Sequence, residues 1–326
     1  MSNSNPNISK LSFKGWKSCL KWTIMVVAYA FLAYKLVTFK DYDQLFTWWK
    51  QLPLTQWWWL AAVFVLLPVN WLLESLKWKM LTSNVQKITF KTSVKAVLAG
   101  ISTGFFTPNR IGELVGRIMY MNADKRKAGA TMSVVNSLTQ NLIMALCGIP
   151  ACLFYFYSTT NILEVDIENF ILLLLVFVIL AGLLYFYLPR LSKFLSQTNI
   201  ASKIKDFTVG LSAYTRADLF RIMAISLLRY LVFCTQFFLM LRFFGIQLQP
   251  LEALIAIPTN YLFVTFSPSF AFSEAAVRSS YAVLFIGSYS GQVVNIALAG
   301  ICIWAVNFVI PMLVGSVMLV GDKEQT

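Results

Sequence analysis

Two stretches of this sequence decide its architecture, and they share one pattern. Residues 106–117 read FTPNRIGELVGR, and residues 266–278 read FSPSFAFSEAAVR. Each begins with phenylalanine, a hydroxyl residue and proline, and after a short gap continues with a glutamate and an arginine four residues apart. Proline lacks an amide donor and disfavours helix in the residue before it, so each stretch is a predicted helix break. Glutamate and arginine at this spacing lie on one helix face and can form an ion pair.

Both breaks lie within a very apolar chain. Of its 326 residues, 58% are hydrophobic and 13% are charged, whereas soluble domains carry about 25% charged residues. A membrane helix needs about 20 mainly apolar residues. Six stretches meet this requirement, at roughly 18–38, 57–76, 129–157, 169–188, 219–241 and 293–320. We therefore predict an all-α polytopic membrane protein with about six full transmembrane helices.

The regions that contain the breaks, 92–121 and 251–287, differ from these spans. On each side of the proline the apolar run has the length of a half-helix, which is typical of re-entrant segments. We predict two proline-broken re-entrant hairpins. Two full crossings in each region would preserve the same order of sides, so that alternative stays open.

Loop charges indicate which side each segment faces, because lysine and arginine accumulate on the cytoplasmic side. The N-terminal segment and the stretches 77–95, 124–127 and 190–221 are basic, whereas the loop 158–168 is acidic. We therefore predict cytoplasmic N- and C-termini. With these sides assigned, the order of spans and broken regions repeats within one membrane domain, 1–326. The two repeats, about 18–157 and about 169–320, have opposite orientations in the membrane. Inverted repeats of this kind place transport sites at broken helices.

The composition also excludes several classes of function. The chain has no histidine, which removes Ser-His-Asp triads and imidazole bases, and it shows no metal-binding motif. We predict no cofactor, no metal and no enzymatic activity. The net charge of +13 belongs mainly to loops on one membrane side, so nucleic acid is a poor fit as a partner.

The candidate site residues are the charges and turn residues at the breaks, with one further arginine in the span 219–241. Charged groups at membrane depth are costly and usually functional, and the planar guanidinium fork suits phosphate oxygens. Two alternatives remain open: the ion pairs only hold the hairpins, and the arginine in the span reaches toward headgroups. The predicted substrate-binding residues are Pro108, Arg110, Gly112, Glu113, Arg117, Arg229, Pro268, Glu274 and Arg278.

The first motif resembles one found in the membrane domain of lysylphosphatidylglycerol synthases, the flippase-like family of the multiple peptide resistance factor. The family's pattern is similar to Pro-Gly-Arg-x-Gly-Glu-x-x-x-Arg. It matches this chain at Pro108, Arg110, Gly112, Glu113 and Arg117, and departs from it at Asn109. In the second motif the residues 270–273, FAFS, stand where the family is glycine-rich. The resemblance extends over the whole chain in span number and spacing.

This resemblance implies that the chain is a lipid translocase that moves phospholipids between leaflets. It covers the membrane domain and not the soluble synthase domain, so we expect no lipid aminoacylation. The implied partners are membrane lipids, anionic or aminoacylated, in a bacterial inner membrane. One alternative is a non-transporting scaffold for a separately encoded lipid-modifying enzyme. A third, less favoured, is an intramembrane enzyme with Glu113 or Glu274 as its base.

Overall fold

The structure, a computed structural model, describes residues 50, 53–105, 107, 110–159, 165–195, 210–267 and 271–321. The predicted first span at 18–38 and the two break prolines, Pro108 and Pro268, lie outside these residues. In the described part the chain is helical and has no strand, which confirms the all-α prediction. The helices are α1 (Trp57–Thr82), α2 (Phe90–Phe105), α3 (Gly112–Ile118), α4 (Arg126–Thr159), α5 (Val165–Leu195), α6 (Arg216–Phe243), α7 (Pro250–Phe266), α8 (Ala271–Ile286), α9 (Val293–Trp304) and α10 (Ile310–Gly321), with a π-helical turn (Ala305–Val309) joining the last two.

Five helical segments of the described chain are long and apolar enough to cross a membrane. They are Leu54–Thr82, Ala123–Thr159, Leu172–Phe194, Arg216–Phe243 and Val293–Gly321. Each coincides with a predicted span. The first of them continues to Thr82, beyond the predicted end at residue 76, and this longer helix takes in Lys77, which the loop-charge argument had placed on the cytoplasmic side.

The outer face of α5 is apolar and exposed. Leu173, Phe177, Leu180 and Leu184 are all more than half exposed. A soluble monomer rarely exposes apolar side chains in such a continuous band, whereas hydrocarbon tails would cover them without cost. The chain is a multi-pass membrane protein.

Two of the helices begin at local capping signals. Thr215 and Asp218 form a reciprocal capping box at the start of α6, and Gln249 and Glu252 form one at the start of α7. Pro250 occupies the first position of α7, where a missing amide donor costs nothing. Each box satisfies amide groups that a helix start otherwise leaves without partners.

The helices beside the breaks are short, as the sequence predicts. Helix α2 has 16 residues and α3 has 7, so at 1.5 Å per residue they are about 24 Å and about 10 Å long. Helices α7 and α8 have 17 and 16 residues. All four are shorter than the hydrocarbon core of about 30 Å. Within each pair the two helices pack against each other; their return to the same membrane side stays a prediction.

Packing between the two halves is reciprocal. Helix α1 packs on α6, α4 packs on α7, and α10 packs on α2. Gln236 of α6 donates to the carbonyl of Val63 of α1 at 3.2 Å, and Ser102 of α2 donates to the carbonyl of Met312 of α10 at 2.8 Å. In each half, the short helix that follows the second predicted span therefore contacts the last helix of the other half: α2 contacts α10, and α7 contacts α4. This exchange brings the two breaks into one part of the molecule.

Candidate functional site

The first break is shaped by close backbone packing between α2 and α3. A Cβ atom added at Gly116 would lie 2.5 Å from the carbonyl oxygen of Ala99, and one added at Gly112 would meet the carbonyl of Thr103. The Thr107 hydroxyl accepts a hydrogen bond from the amide of Gly112 at 2.8 Å, which stabilises the turn. Only residues without a side chain allow this approach, so Gly112 supports the hairpin and does not line the site.

Arg110 lies within this turn in an unusual backbone conformation. Its φ is 59°, in the left-handed region that residues with a side chain seldom adopt. Such strain is typical of functional positions when the surrounding structure holds it in place. The Arg110 amide donates to the carbonyl of Thr107 at 3.1 Å, and its side chain donates to Glu274 across the site at 3.0 Å.

The two sequence motifs meet at Glu274. Arg110 Nη2 donates to both carboxylate oxygens of Glu274 at 3.0 Å, across 164 positions of sequence. Arg278 donates to Oε1 of the same carboxylate from Nη2 at 2.9 Å and from Nε at 3.2 Å. Both guanidinium groups also contact the ring of Phe308, with Cζ atoms 3.5 Å and 4.5 Å from its centroid. One carboxylate and one aromatic ring thus hold two arginines side by side.

A second cluster lies around Glu74, which is 1% exposed. Its Oε1 accepts from Arg117 Nη2 at 2.6 Å and from Asn136 Nδ2 at 2.7 Å. Its Oε2 lies 3.2 Å from Lys77 Nζ and 2.9 Å from Arg229 Nη1. Three cations therefore contact one buried carboxylate, a ratio that compensates for the cost of burying it.

Glu113 connects the two clusters. Its Oε2 accepts from Arg117 Nη2 at 3.1 Å, and its Oε1 lies 3.6 Å from Arg110 Nη1. The charged groups thus form one connected network of three glutamates, four arginines and Lys77, with a formal net charge of +2. Both predicted ion pairs at four-residue spacing are present, Glu113 with Arg117 and Glu274 with Arg278.

Amide side chains extend the network further into the bundle. Arg229 Nε donates to Asn70 Oδ1 at 2.7 Å, and Asn70 Nδ2 lies 3.5 Å from Asn307 Oδ1. Lys77 Nζ lies 3.4 Å from Gln140 Oε1. Buried polar networks fix a unique arrangement when their members find partners. Arg229 accordingly faces the interior, and the alternative that it reaches toward lipid headgroups is wrong.

Except for Lys77, the charged groups of the network line a cavity of about 450 Å³. Ser137, Asn141, Thr265 and Ser267 add neutral polar groups to its wall. All the charged residues predicted from the sequence line this cavity, namely Arg110, Glu113, Arg117, Arg229, Glu274 and Arg278. Glu74 also lines it, so the wall carries four arginines against three glutamates and has a formal net charge of +1. An anionic group would bring the wall to neutrality.

Sequence reasoning missed two members of the network. Glu74 is not among the predicted site residues, and Lys77 begins the basic stretch 77–95 that the loop charges place on the cytoplasmic side. Their spacing of three residues at the end of an apolar run is the signal that could have indicated a buried pair. Lys77 is completely buried. Among the described residues no group of three or more His, Cys, Asp or Glu side chains could hold a metal ion.

The fold and this cavity define a polytopic α-helical membrane protein with a charged site formed by both of its broken regions. Residues 22–315 match the family model of the lysylphosphatidylglycerol synthase TM region. The chain belongs to this family, which confirms the resemblance seen in the first motif. Comparison with curated proteins and with solved structures gave no match. Membership in the family gives the chain a lipid-related membrane function.

Proposed function

We propose that this protein translocates lipids by passing an anionic or aminoacylated phospholipid headgroup through the cavity between the two broken regions. One observation carries the proposal: two motifs whose residues Arg110 and Glu274 lie 164 positions apart line a single cavity that has more arginines than glutamates. Guanidinium groups bind phosphate oxygens in a two-pronged geometry. A charged site inside an apolar bundle suits a polar headgroup whose acyl tails stay in hydrocarbon.

The arginines divide by the glutamate that they contact: Arg110 and Arg278 pair with Glu274, whereas Arg117 and Arg229 (17% exposed) pair with Glu74. The side chains of Arg110 and Arg278 are 25% and 16% exposed, whereas that of Arg117 is 3% exposed. In this proposal the first two contact the headgroup phosphate, and the Glu74 cluster behind them positions the hairpin. Glu274 already accepts hydrogen bonds from Arg110 and Arg278. An arriving phosphate therefore replaces this carboxylate as their partner and does not enter an empty site.

The reciprocal contacts between the halves support an inverted repeat, in which a cavity between related segments can open alternately to each side. We also propose that both termini lie on the cytoplasmic side of a bacterial inner membrane, because lysine and arginine accumulate on that side and the loops 77–95, 124–127 and 190–221 are basic. The proposal includes no cofactor, metal or aminoacyl transfer. A separately encoded lipid-modifying enzyme is the partner that would supply an aminoacylated substrate.

The test is transbilayer movement of fluorescent phosphatidylglycerol in proteoliposomes, followed by dithionite quenching of the outer leaflet. Arg110→Gln and Glu113→Gln should each slow this movement about tenfold or more, because a charged hydrogen bond contributes about 1.5–3 kcal/mol. Arg221→Gln is the matched control, since the Arg221 side chain is 69% exposed and pairs only with Asp218 among the ion pairs of the described chain.

Unchanged rates in both variants, with wild-type chromatographic behaviour, would overturn the transport role of these residues. That result would favour the second candidate, a non-transporting scaffold. The observation on its side is that each of the three glutamates already has a cationic partner. Co-purification of a soluble lipid-modifying enzyme from native membranes, without transport by the purified protein, would support it.

A further inference from the structure

A second, apolar cavity lies beside the charged one. This cleft has a volume of about 600 Å³, and helices α4, α5 and α7 form its walls. Apart from Ser267 its lining is apolar. Each helix contributes apolar side chains to the wall: Ala145 and Ile149 from α4, Phe177 and Val178 from α5, and Leu262 and Phe266 from α7. Phe177 is 68% exposed, so the cleft opens toward the surroundings of the bundle.

The cleft and the charged cavity share part of their walls. Phe266 and Ser267, at the end of α7, line both spaces. On α4 the two linings touch again, because Met144 lines the charged cavity and its neighbour Ala145 lines the cleft. A molecule with one charged end and one apolar end can therefore occupy both spaces at once.

We propose that the cleft binds an acyl chain of an anionic phospholipid whose phosphate lies among the arginines of the charged cavity. The identity of this ligand rests on the proposed function. The lipid enters sideways from the bilayer between α5 and α7, which both pack on α4. The end of α7, at Phe266 and Ser267, is then the boundary between the headgroup and the acyl chain.

A specific lipid site in the cleft differs from ordinary contact with bilayer lipid in its preference for one headgroup. Hydrocarbon tails are as apolar as leucine side chains, so an apolar cleft alone gives no preference for one lipid over another. Preference arises only if the headgroup binds beside the cleft through charged hydrogen bonds. Occupancy of the cleft should therefore depend on headgroup charge, whereas contact with surrounding lipid should not.

The experiment uses the full-length protein in phosphatidylcholine vesicles with a small fraction of photoreactive lipid. Phosphatidylglycerol and phosphatidylcholine that carry the same acyl-chain diazirine are compared, and adducts are mapped by mass spectrometry. We expect phosphatidylglycerol to label the segments around Ile149, Val178 and Leu262 several-fold more than phosphatidylcholine does. Arg278→Gln should bring the two labelling levels together, and Arg221→Gln should not.

A second variant tests the cleft without altering the charged cavity. Ala145→Phe should fill the cleft and reduce labelling there, whereas Leu173→Phe, on the exposed face of α5 (66% exposed), should leave it unchanged. Equal labelling by the two lipids in the wild-type protein would overturn the proposal and leave only surrounding lipid.

Transport measured in the same vesicles separates this inference from the proposed function. Charge-dependent labelling without lipid movement would keep the binding site and overturn translocation. Lipid movement without charge-dependent labelling would keep translocation and overturn the binding site in the cleft.

Discussion

Glu74 provides a sharp test of the charged network. The substitution Glu74→Gln keeps the size of the side chain and removes its negative charge. In the structure this carboxylate contacts Arg117 at 2.6 Å, Arg229 at 2.9 Å and Lys77 at 3.2 Å. After the change, Lys77 and Arg229 lose their carboxylate partner, while Arg117 keeps Glu113. The protein would then hold buried cations without compensation.

The size of the effect follows from the burial of these groups. Removing one partner of a buried ion pair costs about 3–5 kcal/mol, because the other charge stays desolvated. We expect Glu74→Gln to lower the free energy of unfolding by at least about 3 kcal/mol. Lys77→Met should behave differently, since Glu74 keeps two arginines and a buried cation is replaced by an apolar chain of similar length. Its effect should stay within about 1 kcal/mol.

The assay is unfolding of the purified protein by SDS titration, monitored by circular dichroism. The double variant should lose less stability than the sum of the two single variants, because Lys77→Met removes one of the cations that Glu74→Gln leaves unpaired. Asp124→Asn serves as the control, since this carboxylate is 70% exposed and pairs with Lys125 on the surface. Equal losses for Glu74→Gln and Lys77→Met, or a loss below about 1 kcal/mol for Glu74→Gln, would refute the reasoning.

Two further predictions concern the hairpins and the threading of the chain. Gly116→Ala should cost about 1–3 kcal/mol by overpacking, because its Cβ would lie 2.5 Å from the backbone oxygen of Ala99; the SDS titration measures this loss. Gly182→Ala, where the nearest atom is 4.0 Å away, should be neutral or stabilising, and an equal loss at both positions would contradict the packing argument. In a cysteine-free background, Ala123→Cys and Gly291→Cys should react with an impermeant maleimide from opposite membrane sides, and reaction from the same side would exclude the inverted repeat.

Much of the architecture was predictable because it depends on local sequence. The long helices follow from apolar length, and the short ones follow from the prolines that interrupt the runs. The two ion pairs within the motifs follow from the four-residue helical spacing. Lys77 shows where this reasoning failed: a lysine at the end of an apolar run is typical of a cytoplasmic loop, and only the glutamate three residues earlier distinguishes it.

The sequence by itself determined the helical class, five of the spans, the short helices on either side of each break and six of the charged residues that line the cavity. The tertiary structure decided which of those charges meet. Arg110 and Glu274 are 164 positions apart, and no helical periodicity relates them. Their contact depends on the exchange of helices between the halves, since α4 packs on α7 and α10 packs on α2. Ion pairing requires separations of a few ångströms, and only the packed fold sets such distances between remote segments.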